Sequence, residues 1–590
     1  MLLPISIIIA MTGWVQYRYR QTRAMTMAQF MEIRYSRHFR LFAGFLCFFS
    51  GLLNFGIFPA VGGRFFQYFC GLPPYMVSLG FMQIDLVYAG IMAILLVISL
   101  GITFLGGQIA VMVTDFVQGV FCNIALCLIG GYLLFFHFDW SQMMEAFLQA
   151  PKDASLINPA HSGDTDDYNA TYFLIAVCAF VLNWMAWQGN QGYYAAARTP
   201  HAARMGRLIG SFREIIQTVP IVLLAVGAYT ILHHADFASQ AAQMKATLGA
   251  IDNPTIQSQQ TVSIAIIHML PVGLIGVFAA IMFGAFVSTH DTYLHSWGSI
   301  FIQDVILPTR QILFKTSAPL SPRAHMRILR LSMLGVALFI FCFSLFFSQQ
   351  QDVLMFFALT GTFYVGWAGW TIVGGLYWKH GNTAGAWAAA LAGLFISMGN
   401  WALIYQWPMV QSLLGSLLSQ EWQAAETCPV NAQILYFWSM ASTGVVYGGI
   451  SLLTGRGAFN MDKMLHRGAY AIENDAEHVA PARGLAALKM GPQFALDDKI
   501  LYLSSLAYVL FFFGIFLVGT LLFVLFAWDP SDVFWGNFWW GYSVLMLAAS
   551  LTLSIWFAVG GFGDFRRLYQ SLGTAKRDAA DDGTVSGDKK

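Results

Sequence analysis

Charge is what this 590-residue chain has least of. Only 10% of its residues are Asp, Glu, Lys or Arg, against roughly a quarter in soluble domains. That scarcity argues against a solvated globular enzyme, and neither a nucleic-acid partner nor an organic cofactor is expected. A basic segment ahead of the first apolar run is missing too. Residues 2–15 precede their arginines, so they do not read as a signal peptide. Seven cysteines occur without metal-ligand spacing. Cys47, Cys122, Cys127, Cys178 and Cys342 fall inside apolar runs, while Cys70 and Cys428 lie near the outer ends of theirs, where a disulfide is conceivable. No soluble catalytic domain is present. The longest polar stretch, 456–499, is too short for one, or for an attached signalling domain.

Apolar residues fill the rest, at 57% of the chain. Charge-free runs cover 41–61, 86–113, 116–136, 170–197, 215–232, 269–289, 331–351, 353–378, 381–420, 427–455, 500–528 and 533–563. Most reach the roughly 20 residues that carry a helix across hydrocarbon. With 2–15 added, the expectation is an all-α polytopic membrane protein of about thirteen spans. Four regions follow: a core over 1–455, a linker over 456–499, two further helices over 500–563, and a charged tail over 564–590 expected to be disordered.

The net charge of +1 says little, but its distribution orients the chain. Six Lys/Arg and one acid, Glu32, lie in 16–40, whereas 137–170 carries six acids and one Lys. The next connections alternate in the same way, ending with Arg310, Lys315, Arg323, Arg327 and Arg330 on one side. Basic loops prefer the cytoplasm, so the register places the C-terminus there, in the cell membrane.

Polar residues inside the apolar runs carry the functional signal. In 271–304 a bilayer's worth of apolar residues leads into Ser288-Thr289 and then Asp291. Hydroxyls and carbonyls are oxygen ligands for small hard cations, so this is a candidate ion site, although Ser and Thr also bond back one turn along their own helix. Asp115, in TDFVQ at 114–118, lies between two apolar runs on the same side of the membrane; a carboxylate there marks an ion pathway or caps a helix start. The run 170–197 turns into NWMAWQGNQGYY, and 353–378 contains Thr360-Gly361-Thr362; both suggest broken helices lining a polar cavity. Asn54, Gly56 and Pro59 interrupt 41–61 similarly. His233-His234 and Asp236 are the nearest thing to a catalytic cluster, and they lack a third partner at useful spacing.

Four segments in order resemble the sodium:solute symporter family over most of 34–453: TDFVQ, the basic loop 202–204 followed by SFREIIQ, FVSTHDTYLHSWGSIFIQD, and GGLYWKHGNTAGAWAAALAG at 374–393. The resemblance implies a leucine-transporter-like core of inverted repeats, working by alternating access. It implies a sodium ion held by the Ser288 and Thr289 hydroxyls and the Ala285 carbonyl, with Asp115 on the ion's release path. A small organic solute would sit near the bilayer midplane against Gln188, Asn190, Thr360 and Asn54. Trp187-Gln188 and Gly192-Tyr193 depart from the family's pattern in the broken helix, so the solute's identity does not carry over.

Family members also begin with two helices before the segment that 2–15 resembles, and the second of these contributes to the sodium site. The sequence is therefore expected to be an N-terminally shortened version of a longer symporter, most simply through a late-assigned start. A real deletion would leave the ion half-coordinated and transport uncoupled.

Overall fold

The computed structural model describes residues 2–78, 80, 83–151, 154–162, 168–189, 191–197, 199–315, 320–347, 349–455, 457–471 and 488–574. Among them the only strands are a short antiparallel ribbon, Met76–Ser78 against Gln83–Asp85. Everything else that is regular is helical. The helices used below are α1 (Leu2–Thr12), α2 (Arg37–Phe55), α3 (Phe58–Phe69), α4 (Leu86–Tyr132), α5 (Ala170–Leu182), α6 (Gln191–Ala195) and α7 (Pro200–His233). They continue with α8 (Val272–Ile300), α9 (Pro322–Phe346), α10 (Val353–Gly361), α11 (Val365–Tyr377), α12 (Thr383–Tyr405), α13 (Ala432–Thr454), α14 (Leu496–Phe526) and α15 (Asp532–Thr574).

By length and apolarity, eight described helical stretches can cross a membrane, or nine with α10 and α11 counted as one bent span. Four runs make up the difference from thirteen, and one of them, α13, is long enough but not apolar enough to count. Helix α1 has 11 residues and α5 has 13, both short of a crossing. The stretch Leu86–His137 counts once although its 52 residues reach about 78 Å, well over one bilayer.

That long stretch divides at Gly107 (φ 57°, ψ −151°), a conformation that glycine tolerates and side chains resist. The expected division at Thr114-Asp115 is not found. The helix runs through those residues because the Thr114 hydroxyl bonds back to Ala110 O and Val111 O, both at 3.0 Å, and the Asp115 carboxylate is met from other helices. Asp115 thus stands two turns past the break rather than at a helix start.

The two expected interruptions are present. Helix α5 ends at Asn183, whose Nδ2 donates to Tyr436 Oη at 2.7 Å; the chain resumes helical form at Gln191. A side chain at Gly369 on α11 would overlap Asn183, so the absence of a Cβ lets the two broken helices touch. Helices α10 and α11 meet at 55°.

Helix α8 packs along α4 and ends in a π-helical turn, Phe301–Ile306. There the buried Asp304 accepts from Thr26 Oγ1 (2.6 Å) and Arg40 Nη2 (3.3 Å). Gly44 makes room for this joint, since a Cβ there would come within 2.7 Å of Asp304 O. Helix α15 lies against α4 and α7, with Phe562 and Phe565 on the Phe116 ring at 5.3 and 6.2 Å. All seven cysteines are free, including Cys70 and Cys428, and Cys178 is exposed rather than packed. Residues 456 and 472–487 of the linker, and 575–590 of the tail, lie outside the described residues.

Candidate functional site

Helix α8 follows Pro271 and stays regular through Ser288 and Thr289. On a helix, residues four apart share a face, so Ser288 and Thr292 project together. Both reach the second half of α4. Ser288 Oγ donates to Asp115 Oδ1 at 2.6 Å, and Thr292 Oγ1 donates to Asp115 Oδ2 at 3.1 Å. Tyr193, from α6 beyond the break, donates its hydroxyl to Asp115 Oδ2 at 2.7 Å and lies 3.0 Å from Thr292 Oγ1. One residue over, Thr114 Oγ1 contacts Asp291 Oδ2 at 3.4 Å. The two helices are therefore laced at adjacent positions by hydroxyl–carboxylate pairs.

Asp291 is fully buried, and its Oδ1 has no hydrogen-bond partner among the described residues. No described ion pair involves Asp115 or Asp291, so the two carboxylates meet hydroxyls and no Lys or Arg. Burying an uncompensated carboxylate costs several kcal/mol or more, which a cation or a proton would offset. The donor set is oxygen only, as hard cations require. No group of three His, Cys, Asp or Glu fit for a metal occurs among the described residues, so the hydroxyls are essential to any ion site here.

Asp115, Ala285 and Ser288 line a cavity of about 840 Å³, with Gly561, Asp564 and Arg567 of α15 across from them. The Thr289 hydroxyl is half-buried and makes no hydrogen bond to the described residues. Of the expected ion-site residues, then, the structure unites Ser288 with Asp115 and puts Ala285 on the same cavity wall.

Among the described residues, hydrogen bonds do not join the expected solute residues into one group. Asn54 and Thr360 come together, Nδ2 to Oγ1 at 3.0 Å, while Ser50 Oγ donates to Thr360 O at 2.8 Å. These bonds tie α2 to α10 and leave the pair satisfied. Gln188 is buried and bonds to neither of them; it donates to Met185 O (2.7 Å) and Ala186 O (2.9 Å), holding the turn of the broken helix. Asn190 lies outside the described residues. Sequence reading missed Tyr193 and Thr292 as site residues; the four-residue spacing from Ser288 was the available signal for Thr292. On another face, His234 finds Glu145 at 3.2 Å and Asp236 at 3.6 Å. The third partner that local spacing lacked is thus 89 residues away in sequence.

The model of the sodium:solute symporter family matches residues 2–393. The chain belongs to that family. A solved structure titled as the substrate-bound outward-open state of a Na+-coupled sialic acid symporter, revealing a novel Na+-site, aligns over 77% of this family member and 84% of its own chain. Its TM-score is 0.55 at 15% identity, a likeness that speaks for the fold. No curated protein matches. This symporter-family chain is accordingly a multi-pass helical membrane protein with a transporter fold and, among the described residues, no sheet core.

Proposed function

We propose that the protein is a cell-membrane symporter that moves a small organic solute on the sodium gradient by alternating access, with its C-terminus in the cytoplasm. Family membership supports the class. The observation that carries the ion site is the Ser288–Asp115 bond, flanked by the uncommitted Thr289 hydroxyl and lying within an apolar bundle. Ser288 donates its one proton to Asp115, which leaves its lone pairs for a cation and makes its oxygen a better ligand. Thr289 Oγ1 and the Ala285 carbonyl complete the ligands this chain offers. Asp115 both orients Ser288 and faces the cavity, so it draws the ion toward its exit. The reading makes the protein a transporter rather than an enzyme, with the bilayer and sodium as its partners. Residues 1–455 form the transport core and 500–563 accompany it.

The test is uptake of a solute panel into proteoliposomes with and without an inward sodium gradient. Accumulation that requires sodium supports the reading. Accumulation that ignores sodium and follows a proton gradient contradicts it.

A further inference from the structure

The last two helices form a hairpin whose halves pack loosely on each other. Only 6% of the apolar stretch of α14 is buried in the protein, so most of its surface meets the bilayer. Phe512 of α14 reaches Tyr542 of α15 at 5.9 Å, and at the turn Trp528 meets Trp535 at 6.3 Å. The two helices part around a cavity of about 600 Å³, lined by Phe516, Gly519 and Phe523 from α14, by Trp535 and Trp539 from α15, and by Pro4 of α1. Phe516 and Phe523 are more than 40% exposed, so the cavity opens to the bilayer. On its wall the Thr520 hydroxyl donates to Phe516 O and Trp539 Nε1 donates to Ile157 O, both at 2.8 Å. What the lining offers is mainly ring faces and hydrocarbon.

Trp528, Trp535 and Trp539 gather at one end of the hairpin, as aromatic residues do at the level of lipid headgroups. Asp529 and Asp532 lie among them in the chain. His161 Nε2 lies 2.8 Å from Asp529, and Asn158 donates to it at 3.0 Å. These bonds hold the Asp529 carboxyl below the usual carboxylate range, so it is ionised at neutral pH. Asp532, in the first turn of α15, is exposed. Among the described residues, Arg–carboxylate pairs all lie elsewhere, so neither acid is neutralised by a basic side chain.

We propose that the cavity holds an acyl chain of a bilayer phospholipid whose headgroup carries an amine, with the ammonium set against Asp529 and Asp532. The site is separate from the ion site and does not rest on the symporter reading. An apolar gap open to hydrocarbon fills with hydrocarbon, because an empty one forfeits dispersion contacts and water there finds too few polar partners. The bound chain gives α14 the packing that the protein does not. A headgroup of net negative charge would bring a phosphate to two carboxylates, whereas a zwitterion offers them its ammonium.

The protein is extracted with mild detergent from vesicles of equal phosphatidylethanolamine and phosphatidylglycerol, and retained lipids are counted by native mass spectrometry. Wild type should retain one lipid more than Gly519→Trp, whose ring fills the cavity. A Cβ at Gly519 meets nothing within 4 Å, so yield of this variant in the membrane should hold. The extra lipid should be phosphatidylethanolamine by a several-fold preference, the scale of exposed ion pairs. Asp529→Asn combined with Asp532→Asn should keep the lipid and lose the preference. Equal retention by wild type and Gly519→Trp places any lipid elsewhere and overturns the proposal. Preference for phosphatidylglycerol, or a preference that survives the double substitution, overturns the headgroup assignment.

Discussion

Ser288 on one helix and Asp115 on another meet hydroxyl to carboxylate at 2.6 Å, 173 residues apart in sequence. The bond joins the two features that mark an ion path and gives the carboxylate a positional role. Asp115→Asn keeps the shape and removes the charge. The half-saturating sodium concentration should rise ten-fold or more, since a hydrogen bond to a charged group is worth about 1.5–3 kcal/mol. Protein yield in the membrane should hold. Sodium titration of uptake is the check, and an unshifted curve would remove Asp115 from the site.

Thr289 and Ser296 separate ligand from scaffold. Both are half-buried on α8, seven residues apart, and neither hydroxyl bonds to the described residues. Thr289→Ala should weaken sodium several-fold, and Ser296→Ala should not. Equal effects in the same titration would count against the ion site.

The last helix presses on the ion path. A side chain at Gly561 of α15 would overlap the ring of Phe116, the residue after Asp115. Gly561→Leu should slow uptake several-fold, and adding Phe116→Ala should restore most of it by vacating the space. Lack of recovery in initial-rate measurements would show that α15 acts elsewhere.

Asp304 closes a joint between the end of α8 and the chain near α2. Removing one member of a buried pair leaves the other uncompensated, so Asp304→Ala should cost about 3–5 kcal/mol. Thr26→Ala, which deletes a single hydrogen bond, should cost about 1 kcal/mol. Thermal unfolding in detergent ranks the two, and the reverse order would contradict the geometry.

The sequence showed the broken helices at Asn183 and Thr360 because amides and glycines in apolar runs have few other uses. It showed Ser288, Thr289 and Asp115 as polar intrusions, but not that Ser288 and Asp115 touch, because helix packing decides that. Thr114-Asp115 misled as a boundary because partners on α8 let polar residues continue a helix. Asn54 and Thr360 were legible as polar residues in apolar runs, but the bond between them was not, because helix packing decides it. Nothing in the local sequence pattern marks Trp297 or His290. Only a buried ring nitrogen without a partner among the described residues sets them apart, and that is a property of the packed bundle.

The most direct measurement compares solute accumulation by the protein in proteoliposomes under an inward sodium gradient and under an inward proton gradient. The protein is used wild type and as Thr289→Ala. Accumulation should require sodium, ignore the proton gradient, and shift to higher sodium in Thr289→Ala. Accumulation driven by protons alone, or a Thr289→Ala curve that overlays the wild type, would contradict sodium coupling at this site.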